Sequence, residues 1–151
     1  ELVYLPDVIR LEDLRTRAYH AADVTPLTAQ EMAGVAPEKL SDLVFTAHPS
    51  AAILRSPYPV VTIWAMNSGE AELGPIENWV GEDALIVRPR QLVHVHRLPA
   101  GGATFLEALV SGTPLGAATE AAMAQTAEFD LSANLAGAMT AGAFASFHLT
   151  S

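Results

Sequence analysis

Every apolar run in this chain is cut short by an acid, an arginine, a glycine or a proline. Interruption on that scale forces short elements that pack on one another, strands of about four to eight residues and helices of a few turns. A membrane-crossing helix needs roughly 20 continuous apolar residues, and no run approaches that, so a soluble protein is expected. Apolar residues still make up 50% of the 151 positions, enough to bury a sizeable core. The length suits a single domain over residues 1–151. Within it, residues 1–40 form a helical lead-in, 41–98 carry strands, a helix and a hairpin, and 99–151 carry three helices and a final strand.

Leu5, Val8, Leu11, Leu14, Ala18 and Ala21 recur at helical spacing around Pro6 and Asp7, which predicts a helix over 5–23. Its solvated side carries Arg10, Asp13, Arg15 and Arg17. Thr28-Ala29-Gln30-Glu31 has capping-box form, and Pro37 opens another short turn. Apolar runs over 43–47 and 51–55 read as two strands meeting at His48-Pro49-Ser50. Residues 60–66 admit two readings: β-branched side chains favour a strand, while Pro59 and the stop at Asn67-Ser68-Gly69 favour a helix. Residues 70–78 read as an exposed loop. Runs over 84–88 and 92–98, parted by Pro89-Arg90-Gln91, predict a hairpin. Alanine-rich helical patterns follow over 102–110, 115–125 and 131–140, then a strand over 144–149. The expected class is α+β: an N-terminal helix, a small antiparallel sheet and a winged-helix-like unit of three helices plus a strand. DNA readers and peptide-recognition modules share that last arrangement.

Charge separates those two uses. Eight Lys+Arg oppose 17 Asp+Glu, a net charge of −9, and residues 98–151 contain no Lys or Arg at all. Phosphate contacts depend on those two residue types, so nucleic acid is an unfavourable partner and a DNA-binding regulator is the secondary reading. The absence of cysteine removes disulfides, thiolate metal sites and cysteine nucleophiles, and fits a cytoplasmic location. A start at Glu1, without a signal-peptide pattern, leads to the expectation of a fragment or processed form.

Few residue groupings suggest chemistry. His94-Val95-His96 puts two imidazoles on one strand face, but a metal needs further ligands, and His20, His48 and His148 belong to other segments. No metal or other cofactor is expected. His48 and Ser50 lie two apart without a nucleophile-elbow motif, which reads as a strand stop with a local cap. Gly101-Gly102 reads as a flexible helix start, Glu82-Asp83 as a solvated pair, and Trp64, Tyr58 and Trp79 as core or interface aromatics. No catalytic residue is assigned. The strand over 92–98 suits peptide recognition instead, since an open strand edge can accept an extended ligand; the sequence reads equally well as an interior strand with no free edge. Its candidate contact residues are Leu92, Val93, His94, Val95, His96 and Arg97.

The opening Tyr4-Leu5-Pro6-Asp7-Val8-Ile9-Arg10-Leu11-Glu12 and Ala18-Tyr19-His20-Ala21-Ala22-Asp23 resemble the second half of the HvfC/BufC-type family, whose members often carry a DNA-binding-domain label. The resemblance continues through His48-Pro49-Ser50, Leu54-Arg55-Ser56-Pro57-Tyr58-Pro59-Val60, Ile63-Trp64 and Leu85-Ile86-Val87-Arg88-Pro89. An upstream helical region usual in that family has no counterpart in this sequence. More distantly, the family is similar to the C subunit of methanobactin synthase, which works beside a TIM-barrel, multinuclear-iron subunit that oxidises cysteines of a ribosomally made precursor peptide. The resemblance implies a non-catalytic accessory subunit whose partners are the precursor and the iron enzyme. It also implies a helix over 60–66 with Trp64 inward. For the iron enzyme, the proline-stiffened corner supplies the candidate surface: His48, Pro49, Ser50, Arg55, Pro57 and Tyr58.

Overall fold

The computed structural model describes residues 2–77 and 79–150; Asn78, the last residue of the expected 70–78 loop, lies outside them. Helix α1 spans Leu5–His20, with proline in its first turn and Val8, Leu11 and Ala18 buried. It stops three residues before the expected end, and Arg88 explains why. The buried Arg88 guanidinium donates to the carbonyls of Ala18 at 2.9 Å and Ala21 at 2.5 Å, adding a donor to Ala18, which also accepts the Ala21 N–H at 3.2 Å, and pairing the Ala21 carbonyl just past the helix end. Further bonds to the Arg90 carbonyl at 2.6 Å and to Asp23 at 2.8 Å fix the outgoing chain.

Helix α2, Ala29–Met32, opens on the capping box expected at Thr28 and Glu31. A 3-10 turn, Pro37–Asp42, leads into β1, Leu43–Ala47. Strand β2 is Ala52–Leu54, and helix α3 is Val60–Asn67 with Trp64 buried. Strands β3, Ala84–Val87, and β4, His94–Arg97, form the hairpin. Helices α4, Gly102–Val110, α5, Leu115–Gln125, and α6, Leu131–Ala141, precede β5, Phe144–Leu149. The class is α+β.

Strands group into an antiparallel β1–β5 pair and an antiparallel three-stranded sheet in the order β2-β3-β4. The two strands flanking His48-Pro49-Ser50 therefore do not pair with each other; the corner hands the chain from one sheet to the other. Phe45 of β1 stacks on Phe144 of β5 at 4.4 Å between ring centroids, burying both rings. That cross-strand aromatic pair favours β5 as the neighbour of β1.

All four β3 residues are buried, and their alternation divides two apolar clusters. Leu85 and Val87 join Phe45, Phe105, Leu109 and Phe144 on one side. Ala84 and Ile86 join Leu11, Leu54, Val60 and Trp64 on the other, beneath α1 and α3. Glu82 is not the solvated residue the sequence suggests: it is only 4% exposed. Its carboxylate accepts from the Thr62 backbone N–H at 2.9 Å and the Thr62 hydroxyl at 2.8 Å. Because Pro59 offers α3 no side-chain cap, Glu82 supplies from another segment the acceptor that the helix's first turn needs.

Candidate peptide-binding surfaces

The corner is the first of the expected sites, and the structure splits it. His48 and Ser50 are 1% and 4% exposed. His48 Nε2 lies 2.7 Å from the Val24 carbonyl, which can only accept, so Nε2 carries the ring proton. Nδ1 then accepts from the Ser50 hydroxyl at 2.8 Å and the Ser50 N–H at 3.2 Å. The Ser50 oxygen in turn accepts the Arg88 N–H at 2.7 Å. These bonds hold Val24 and Arg88, the residue after β3, against the corner, and the His48 N–H donates to the Ala143 carbonyl at 2.8 Å. His48 and Ser50 are thus removed from the docking surface assigned to them, because burial satisfies the polar groups internally. Tyr58 is half-buried, while Pro49, Arg55 and Pro57 remain exposed. Arg55 is tied to Glu107 at 2.7 and 2.9 Å and to Thr104 at 2.9 Å. Its hydrogen bonds to Glu107 push the guanidinium above its ordinary pKa despite some burial.

The hairpin places β4 at one margin of the three-stranded sheet, paired only to β3 in the described topology. The strand is shorter than expected: Leu92 and Val93 precede it, because the turn after β3 consumes residues through 93. Leu92 is 70% exposed, and Val93 packs beside the cluster under α1. The partners are Leu85 with His96 and Ile86 with Val95. Leu98 N–H donates to the Asp83 carbonyl at 2.8 Å, which fixes the phase of the ladder. By antiparallel alternation, His94 and His96 aim their backbone groups at β3, and Val95 and Arg97 aim theirs outward. The side chains divide differently. Val95 packs inward with the α1–α3 cluster, while His94 and His96 share the opposite face with centroids 5.9 Å apart.

Burial, reinforced by His94, lowers the His96 pKa below the ordinary imidazole value. The buried His96 Nε2 has no hydrogen-bond partner. Among the described residues no three His, Asp or Glu groups converge as a metal site would require. Arg97, 59% exposed, reaches Glu82 at 3.5 Å, so this edge carries a cation beside its outward amides.

A third feature was not anticipated from the sequence. An open groove of about 1190 Å³ lies between α2 with its following 3-10 turn, α5 and α6. Leu131, Leu135 and Met139 line it from α6, and Met32, Leu40 and Leu115 lie among its other walls. The signal was present as an i, i+4, i+8 stripe in the α6 sequence, but composition alone could not separate a groove lining from a core face.

Comparison with family models, with curated proteins and with solved structures returns no match.

Proposed function

We propose that this chain is a non-catalytic accessory subunit in the cytoplasm that receives an extended segment of a ribosomally made precursor peptide and presents it to a TIM-barrel multinuclear-iron enzyme. The observation that carries the reading is the marginal position of β4, whose Val95 and Arg97 backbone groups face away from β3. A strand added there gains main-chain hydrogen bonds, while alternate side chains read the ligand. Arg97 supplies a cation at that edge, which favours an acidic residue in the bound segment. For the iron enzyme, the exposed remainder of the corner, Pro49, Arg55 and Pro57, is the docking candidate.

Co-expression of the tagged chain with the TIM-barrel iron protein and its precursor tests both contacts. Recovery of a ternary complex is expected from the unaltered chain. Arg55→Glu is expected to lose the iron protein while retaining the precursor. Failure to recover either partner, together with a salt-dependent shift of duplex DNA, would transfer the assignment to a DNA-binding regulator.

A further inference from the structure

The groove is larger than the roughly 300–1,000 Å³ typical of small-molecule sites, and its lining is poor in charge. Arg90 and Glu120 are its charged residues, set among aliphatic side chains, hydroxyls and two methionines. Its walls are mainly helices and a 3-10 turn, with no strand residue among the lining, and helical amides are largely bonded within their own elements. An extended ligand would therefore bury its backbone there without a strand edge to pair with. A helix brings its backbone already satisfied and needs only an apolar face.

We infer that this groove holds an amphipathic helical segment of the same peptide that β4 receives in extended form. The inference rests on the peptide-binding reading for the class of its occupant. Two observations select a continuous peptide ligand. The groove runs into a smaller recess of about 320 Å³ formed by residues 23–26 and 89–91, and Pro26 and Arg90 line both. That recess includes residues 89–91 of the turn that leads into β4, so the groove reaches the turn that precedes the proposed strand-binding segment. Charge supplies the second: exposed Arg90 stands at this junction, matching a peptide with an acidic residue between its helical and extended parts.

The α6 stripe from Leu131 to Met139 spans eight residue steps, about 12 Å along a helix axis, or a little over two turns. Leucine-type side chains at i, i+3 or i+4, and i+7 would lie along it. Met32 and Met139, which can repack around different apolar partners, make the groove tolerant of which aliphatic residues occupy those positions.

The test uses the full chain and three fluorescent 16-residue probes. The first has leucines at i, i+4, i+7 and i+11, alanine and glutamine elsewhere, and two terminal glutamates. The second is identical except for a central proline. The third scrambles the leucines. Binding is followed by fluorescence anisotropy and by amide chemical-shift changes. The first probe is expected to bind at least tenfold more tightly than either control and to shift α2 and α6. Ala136→Glu, which puts a charge at an exposed lining position, is expected to weaken it at least tenfold while thermal unfolding stays close to that of the unaltered chain. Val95→Pro is expected to leave this probe's affinity unchanged, because it blocks only the strand edge. Equal affinity for all three probes, no binding of the first, or insensitivity to Ala136→Glu would overturn the inference. Loss of precursor binding in Val95→Pro with groove binding retained separates this result from the strand-edge reading.

Discussion

At the scale of single residues, Arg88 and His96 carry the sharpest expectations. Arg88 joins the end of α1 to the β3–β4 turn through three carbonyls and Asp23. Replacing it with methionine keeps much of the apolar stem but takes this donor from the Ala21 and Arg90 carbonyls and Asp23 and leaves Ala18 with the Ala21 N–H alone. A loss of about 2–4 kcal/mol in urea unfolding is expected from the unsatisfied groups. His96 gives a pH dependence. Burial and His94 hold its folded-state pKa below the unfolded value, so on acidification the unfolded chain gains a proton first. Stability is therefore greatest above the unfolded imidazole pKa of about 6.5 and falls as pH drops toward the folded value. Unfolding between pH 7.5 and 5.5 is expected to show a steeper loss in the unaltered chain than in His96→Gln. A parallel pair of curves would remove His96 as a source of that slope. Neither role is legible in sequence: Arg88, Arg90 and Arg97 all fall within the hairpin segment 84–98 with nothing local to mark the one that is buried, and the burial of His96 depends on what the sheet packs against.

At the scale of elements, periodicity and stop signals placed the helices and strands well, and misjudged what lies between them. The capping box of α2 was readable because donor and acceptor sit three residues apart. The cap of α3 was not, because Glu82 reaches it from 20 residues downstream. Glu82→Ala is expected to cost about 1–2 kcal/mol, in the range of other lost helix caps, with Gln intermediate because its carbonyl can still accept. Thermal unfolding of both variants checks that order. His48 and Ser50 drop out of the corner's candidate surface for a related reason. A proline-flanked His and Ser look like exposed loop chemistry in sequence, whereas their partners come from elsewhere in the chain: the Val24 carbonyl, 24 residues before His48, and the Arg88 N–H, 38 residues after Ser50.

At the scale of the whole molecule, β3 divides two cores and leaves β4 at a margin, while α5, α6 and the early connector frame the groove. The α+β class was legible because apolar spacing is local. The partition into two sheets was not, since it turns on the Phe45–Phe144 contact between distant parts of the chain. The proposed strand addition rests on that partition, and the ladder phase makes it testable with two adjacent positions. Val95→Pro removes an outward amide and His96→Pro removes one bonded to β3, so proline should be tolerated at the first and not at the second. The deciding measurement is precursor affinity by isothermal titration calorimetry on Val95→Pro, with Val95→Ala as the control for lost packing and thermal unfolding recorded for all variants. The expected result is a folded Val95→Pro chain that no longer binds the precursor, a Val95→Ala chain that does, and a His96→Pro chain that unfolds at much lower temperature. A folded Val95→Pro chain binding the precursor with unchanged affinity would contradict strand addition at β4.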